Sequence, residues 1–288
     1  MKILFIGVFD TDRKSTNTSQ LLAFKSLGHD VVGYNYKEKA LKIGENERDR
    51  HLCKTVREYK FDLVVFSKCN FLSEDVFRKI NKMAKTCLWF MDPLVSYDHA
   101  MRKRTALVDY VCCDKENVLE EALTINKNSF HVCEGFDQEV DRPHNIKKEY
   151  DVSFIGNIYG NRADIFDSID FDIKIINNAY GSMHAKEVSK SRINLNLCTN
   201  EGASDRVYKI MAAGGFLLSN DWKNREKYFT DEEECVIFKD IEDLNNKIEY
   251  YLKNPELIKE IASNGFNKVQ RFNRNNWAEN ILQFQKEK

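Results

Sequence analysis

A series of short apolar runs, spaced by helix-length intervals, limits this chain to few folds. In the first half they are Ile3–Val8, Val31–Tyr36, Leu63–Ser67, Cys87–Met91, Tyr110–Cys113 and Phe130–Cys133. In the second they are Val152–Ile155, Ile173–Ile176, Ile193–Leu197, Phe216–Ser219 and Cys235–Phe238. A strand with one wet face alternates apolar and polar residues, whereas strands covered on both faces read as nearly continuous apolar runs. Parallel strands also need a crossover between them, usually a helix. The pattern therefore predicts an α/β fold of two doubly wound Rossmann-like lobes. At 288 residues each lobe can bury its own core.

Helix ends are marked as well. Thr18 to Leu27 carries Leu21, Leu22 and Phe24 and stops before Gly28, which suits the left-handed position after a helix. Asn254-Pro255-Glu256 supplies a cap, a first-turn proline and a first-turn acid; Leu257, Ile258 and Ile261 then pack, and Gly265 is expected to end the helix. The polar stretch Asp141–Lys148 is the expected joint. It gives an N-terminal lobe of residues 1–146 and a C-terminal lobe of residues 147–269, with a final helix within 270–288 returning to the first lobe. Ligands of such sheets bind beyond the carboxyl ends of the strands, where strand order reverses. Two such edges are expected to line a cleft between the lobes.

Composition removes several classes. With 42% hydrophobic and 31% charged residues and a net charge of −1, the chain has no global field drawing it to nucleic acid or anionic lipid. Arg102-Lys103-Arg104 is a local exception, readable as a phosphate contact or as a solvated helix face. No run reaches the ~18 apolar residues of a membrane span. The N-terminal apolar run is short and lacks a small-residue cleavage site, so it reads as a buried strand rather than a secretory signal. The eight cysteines form no CxxC pair and lie mostly in apolar runs, which points to a reducing, cytoplasmic setting. No clustered His/Cys set suggests a metal, and His29, His51, His131, His144 and His184 read as structural. The first strand-to-helix loop lacks both GxGxxG and GxxxxGK[ST], against a dehydrogenase and a P-loop NTPase.

The segment Glu201–Ser219 carries most of the chemistry. It reads as a loop, a helix beginning near Ser204 with Val207, Ile210 and Met211 facing the core, and a strand from Phe216. Ser204 or Asp205 can cap the first turn. A helix start offers unpaired N–H groups and a partial positive charge to an anion. Arg206 adds a fork suited to phosphate oxygens and Lys209, three residues on, a second charge; equally, both could be surface charges on a packed helix. Gly156-Asn157 with Gly160-Asn161-Arg162 forms a turn that could wrap a phosphate or simply join strand to helix. In the first half, Asp92, Asp98 and His99 follow a strand end, where a carboxylate or imidazole could orient or deprotonate a hydroxyl; a capping Asp and a surface His are the plain alternative.

These segments resemble the group-1 glycosyltransferase superfamily, and within it the spore-maturation-protein (CgeB-type) branch. There an Arg-aromatic-Glu helix precedes Ala-x-Gly-Gly and a short strand, as Arg206-Val207-Tyr208-Lys209 precedes Ala212-Ala213-Gly214-Gly215 here. Leu27-Gly28-His29-Asp30-Val31, Trp89-Phe90-Met91-Asp92-Pro93 and Phe154-Ile155-Gly156-Asn157 with Arg162 resemble further stretches of that family, in the same order. The resemblance implies the GT-B fold and sugar transfer from a nucleotide-sugar, most simply a UDP-sugar, to an acceptor hydroxyl. The donor would be a co-substrate, with no separate cofactor and no metal, and configuration retained. Gly156, Asn157, Arg162, Glu201, Ser204, Arg206, Tyr208 and Lys209 would hold the donor, with Arg206 also stabilising the leaving diphosphate. Asp92 and His99 would act on the acceptor, beside Gly7, Asp12 and Asp98. The acceptor stays open among a glycan, a protein, a metabolite and a hydroxymethylated DNA base. One departure stands out: the family often has two glutamates separated by seven residues, and Lys209 occupies the second position. A lysine cannot accept a hydrogen bond from a ribose hydroxyl, so a non-catalytic nucleotide-sugar or glycan binder is the rival reading. A nucleotide-dependent oxidoreductase is a third.

Overall fold

The computed structural model describes residues 1–11, 14–160, 162–198 and 202–284. It divides into two compact units, Met1–Glu134 with Arg274–Lys288, and Gly135–Asn273. The first unit runs β1 (Lys2–Gly7), α1 (Thr16–Ser26), β2 (Asp30–Asn35), α2 (Tyr36–Ile43), α3 (Glu45–Tyr59), β3 (Leu63–Ser67), α4 (Glu74–Asn81), β4 (Lys85–Phe90), α5 (His99–Thr105), β5 (Tyr110–Cys113), α6 (Glu116–Ile125) and β6 (Ser129–His131). The second runs β7 (Tyr150–Ile155), α7 (Arg162–Asp167), β8 (Ile173–Ile176), α8 (Ser182–Lys190), β9 (Ser191–Asn196), α9 (Asp205–Ala212), β10 (Phe216–Asn220), β11 (Val236–Phe238), α10 (Ile241–Lys253) and α11 (Pro255–Val269); α12 (Arg274–Gln283) then completes the first.

Both sheets are parallel throughout. Their orders are β2-β1-β3-β4-β5-β6 and β11-β10-β9-β7-β8. Each begins with a crossover to one side and then reverses. The switch point, where the loops leave the sheet in opposite directions, lies between β1 and β3 in the first unit and between β7 and β9 in the second.

Two-sided burial explains the continuous runs. In the first sheet Leu4, Ile6, Val64, Phe66, Leu88 and Phe90 meet α3, α4 and α6 through Leu52, Val56, Phe77, Ile80, Val118 and Ala122. The alternate residues Ile3, Phe5, Leu63, Val65, Cys87 and Trp89 meet α1 and α12 through Phe24, Trp277, Ala278 and Ile281. Trp277 sits edge-on to Phe24, Phe5 and Trp89, with ring centroids 5.3, 6.2 and 5.5 Å away. In the second sheet Val152, Phe154, Ile193, Leu195, Phe216 and Leu218 pack against Leu244, Ile248 and Ile261 of α10 and α11. None of the eight cysteines forms a disulfide, and Cys69, Cys87, Cys112, Cys113, Cys198 and Cys235 are buried. No helix among the described residues is long and apolar enough to cross a membrane.

Helix punctuation follows local chemistry. Ser15 caps α1 by accepting from Asn17 N–H. Gly28, at φ +82°, closes it with the paired bonds Gly28 N–H to Lys25 O and His29 N–H to Phe24 O.

Three expectations need correction. The units part after Glu134 rather than at residue 146, because Asp141–Lys148 is tied to the second unit: His144 N–H donates to Ser189 Oγ and Lys148 Nζ to Ser191 O. Likewise the chain re-enters the first unit at Arg274, after Phe136 has bridged Asn273. Gly265 does not end α11, which runs on to Val269. It is glycine because a Cβ there would strike Glu234 O and lie 3.3 Å from Met211. Asn254 also gives α11 no side-chain cap; its amide donates to Tyr250 O.

Candidate functional site

The switch point of the second sheet holds two guanidinium groups. β7 ends at Ile155 and β9 at Asn196, and α9 begins above them. Arg206, in the first turn of α9, donates from Nε to Asn196 Oδ1 (3.1 Å), from Nη1 to Ile155 O (3.2 Å) and from Nη2 to Leu197 O (3.3 Å). Gly156 makes this possible, since its backbone is at φ +148° and a Cβ there would overlap Arg206 Nη1. Arg162, 6% exposed, donates from Nη2 to the same Leu197 O (3.0 Å) and from Nη1 to Asn157 O (2.8 Å). Its guanidinium lies 4.0 Å from the centre of the Tyr159 ring. Burial, and then the charge of Arg206, pull the Arg162 pKa down, yet it remains a cation at any physiological pH.

The cavity here has a volume of about 330 Å³ and is lined by Gly156, Asn157, Arg162, Ser204, Arg206 and Lys209, among others. Two of the fork's five N–H donors on Arg206 are left for a ligand. Lys209 pairs with Asp205 at 2.5 Å, so its charge is matched within the helix. Ser204 is the N-cap by position, but its hydroxyl donates to Asn196 Oδ1 (3.3 Å) rather than capping the helix. His184 of α8 also lines the cavity and is buried, with neither ring nitrogen partnered. Burial, reinforced by Lys209 and Arg206 and opposed by Asp205, lowers its pKa to about 3; the ring is a neutral imidazole.

Of the expected donor residues, Gly156, Asn157, Arg162, Ser204, Arg206 and Lys209 converge. Glu201 lies outside the described residues. Tyr208 does not join them: it is 2% exposed and packs against Phe272 and Phe229, on the core side of α9. Asn196 was missed. It is fully buried and its carboxamide ties Arg206 and Ser204 to Ser219. A larger recess of about 510 Å³ lies between α10 and α11, lined by Glu232, Glu233, Glu260 and Tyr250, beside the amino end of β11. That is the wrong end of a parallel sheet for ligand chemistry.

In the first unit the switch point is marked by Gly7, at the end of β1, and Ser67, at the end of β3. A Cβ on Gly7 would lie 2.7 Å from Asn17 Nδ2, and Ser67 Oγ donates to Asn17 Oδ1 (2.7 Å). Lys68 follows, at φ +58°, then Cys69 at φ +60°. Cys69 N–H donates to Ser67 O (2.7 Å), which closes a three-residue turn on Lys68 of the strained hand. Lys68 Nζ meets Asp92 Oδ1 at 2.6 Å, both side chains about one-third exposed. Left-handed non-glycine residues cost about 1–3 kcal/mol each. A partly exposed ion pair returns about 0–1 kcal/mol, so the pair does not by itself offset the turn.

Asp98 caps α5, accepting from Met101 N–H (2.8 Å), and His99 is an exposed first-turn residue. Asp12 lies outside the described residues. Within the basic run Arg102 pairs with Glu121 and Lys103 with Glu74 (3.6 Å), while buried Arg104 donates to Asn70 O and Leu72 O. With Arg104 buried, the three cations do not form one exposed stripe. Asp10, which with Asp12 has an acid-x-acid spacing, uses its carboxylate on the N–H groups of Lys14 and Ser15. Among the described residues no three His, Cys, Asp or Glu side chains gather as a metal site.

Two doubly wound parallel-sheet units with this strand order define the GT-B architecture. Solved structures share the fold across nearly their whole length. The Anabaena protein Alr3699/HepE, solved with UDP-glucose, has a TM-score of 0.69 at 10% identity, covering 98% of this chain and 98% of that one. Sucrose-phosphate synthase from Thermosynechococcus elongatus gives 0.72 at 12% identity, with 98% and 97% covered. An alpha-glucosyltransferase solved with UDP and a 13-mer DNA containing a HMU base gives 0.68 at 9% identity, with 100% of each covered. No curated protein matches this chain in sequence. Residues 142–284, nearly all within the second unit, match the family described as glycosyl transferase-like.

Proposed function

We propose that this protein transfers a hexose from a UDP-sugar to an acceptor hydroxyl, with retention of configuration and without a metal. The observation that carries this is the pair Arg162 and Arg206 at the β7/β9 switch point, beside a glycine whose bare backbone admits the guanidinium. Two forks fixed by strand-end carbonyls form a preorganised anion site, and such a site stabilises charge that grows on a departing diphosphate without reorganising at the moment of reaction. The family match over residues 142–284 and the nucleotide in several neighbours of the same fold support the reading. The order of the motifs favours the spore-maturation-protein branch, and eight cysteines without a disulfide favour the cytoplasm. Asp92, His99, Asp98, Gly7 and Asp12 remain our candidates for the acceptor side, in the first unit.

The test is calorimetric titration with UDP, UMP and uridine, followed by product analysis of UDP-glucose turnover with and without EDTA. UDP should bind at least tenfold tighter than UMP, since the second phosphate meets the paired arginines, and EDTA should leave turnover intact. Equal affinity for UDP and UMP would sink the diphosphate assignment; loss with EDTA and recovery with Mg²⁺ or Mn²⁺ would replace the arginine mode with a metal one. The anomer of the product, read by NMR, decides retention. A binder without catalysis is favoured by one observation, that Lys209 is consumed by Asp205. It predicts UDP-sugar binding with no hydrolysis on prolonged incubation.

A further inference from the structure

We propose that Lys68 and Asp92 form a diol clip, and that the acceptor is therefore a carbohydrate presenting two adjacent hydroxyl groups. The inference rests on the proposed sugar transfer and adds to it the acceptor class and a residue, Lys68, that no motif marks. Lys68 directly follows β3, at the β1/β3 switch point, and Asp92 follows β4, the neighbouring strand. Both groups thus stand at the carboxyl edge of a parallel sheet, where ligands of this architecture bind. The backbone is strained at the position that presents Lys68. Two successive non-glycine residues take left-handed φ, and the turn is pinned by Lys68 N–H to Trp89 O (2.9 Å), Cys69 N–H to Ser67 O (2.7 Å) and Cys69 Sγ to Ile6 O (3.5 Å). Burial of the small Cys69 side chain offsets part of the strain, but the ion pair is too exposed to offset the rest. Strained residues held in place by their surroundings in this way cluster at active sites and ligand clamps.

The chemistry of the pair selects the ligand. An ammonium offers donors only and a carboxylate acceptors only. Held 2.6 Å apart and one-third exposed, they can receive two neighbouring hydroxyls together: one donates to Asp92, the next accepts from Lys68. Adjacent ring hydroxyls have that spacing, whereas the lone hydroxymethyl group of a modified base, or a single side-chain hydroxyl, fills only half of the clip. Asp92 beside Lys68 is thereby a binding group for the acceptor and not its base.

The experiment uses the full chain with methyl α-D-glucopyranoside, methyl α-D-mannopyranoside, methyl α-D-galactopyranoside and 5-hydroxymethyl-2′-deoxycytidine as probes. Binding is followed by saturation-transfer NMR in the presence of UDP, and UDP affinity is measured separately. At least one methyl glycoside should bind and the nucleoside should not. Lys68→Met and Asp92→Asn should each weaken glycoside binding tenfold or more while UDP affinity stays within twofold. Lys68→Gly separates binding from folding, since glycine accepts the turn without strain: its Tm should hold or rise while the glycoside is lost. Glycoside binding that survives Lys68→Met and Lys68→Gly in folded protein overturns the clip, as does a wild type that binds UDP but no glycoside, or that prefers the nucleoside. Failure of the wild type to bind UDP refutes the donor reading instead, and leaves the glycoside result to decide the clip on its own.

Discussion

Arg206 performs two tasks, and a substitution should show both. It joins the ends of β7 and β9 through Ile155 O and Leu197 O and still offers donors to the cavity. Arg206→Ala should lower kcat/KM on the order of 10²-fold, the scale of losing one electrostatic transition-state partner. It should also lower stability by about 2–3 kcal/mol, because hydrogen bonds from a charged donor are worth about 1.5–3 kcal/mol each and water takes over part of the lost ones. Arg206→Lys should recover little of either, since a point charge cannot reach three acceptors; steady-state kinetics and urea titration measure the two losses separately. His184 gives a pH signature. Its pKa falls from 6.5 unfolded to about 3 folded, so the unfolded chain binds the extra proton below pH 6.5. The stability this group contributes is complete above that pH and is lost as pH falls toward 3. Linkage puts the loss at about 2 kcal/mol between pH 7 and pH 5. Denaturant midpoints across that range should show it, and His184→Gln should flatten the curve; an unchanged slope would mean the ring takes up its proton in the fold. That Gly156, Arg162 and Arg206 lie together around one cavity was legible in the sequence because a glycine turn and a helix start announce themselves locally. No local sign marked Asn196, His184 and Lys68, whose placement depends on which strand ends lie side by side. Tyr208 was misplaced for a simpler reason: two positions on from Arg206 is more than half a helical turn, which carries its ring to the core.

At the scale of elements, the strands were readable to within two residues: the central ones because burial on both faces leaves no alternation to misread, the partly exposed edge strands β2 and β8 because they are still rich in β-branched residues. All eleven expected runs correspond to strands of the two sheets. Glycine was the weak sign, since one residue type serves both as helix stop and as a point of close approach. Gly28 is the first kind, left-handed with open space where a side chain would begin; Gly265 is the second, inside α11 with Glu234 O against it. The two uses predict opposite responses. Alanine inside an open helix is worth about 1 kcal/mol over glycine, but at Gly265 the added methyl meets a backbone carbonyl that cannot rotate away. Gly265→Ala should therefore destabilise the protein by about 1–3 kcal/mol, the range for overpacking, and lower its Tm. A rise in Tm would show that α11 can slide off the Glu234 turn.

For the molecule as a whole, the decisive feature is that the first unit is built from both ends of the described chain. α12 covers one face of the first sheet with Trp277, Ala278 and Ile281, and Tyr110 donates its hydroxyl to Ile281 O (3.0 Å). Removing a single buried tryptophan side chain costs about 3–5 kcal/mol, a large share of the ~5–15 kcal/mol that holds a domain together. A chain stopped after Asn273 should therefore lose the first unit while the second stays folded and keeps its UDP affinity. Calorimetry should show one of two transitions gone, and loss of both would mean the second unit has no stability of its own. The same arrangement inverts the order in which the protein is finished during synthesis. The second unit is contiguous and can fold as soon as it leaves the ribosome, whereas the earlier-made first unit must wait for α12. At ~5–20 residues per second, making Gly135–Asn273 leaves Phe24 and Trp89 uncovered for roughly 7–28 seconds. A nascent chain in that interval is a substrate for chaperones, and a ribosome stalled late in the message releases a protein with half its fold complete and the other half sticky.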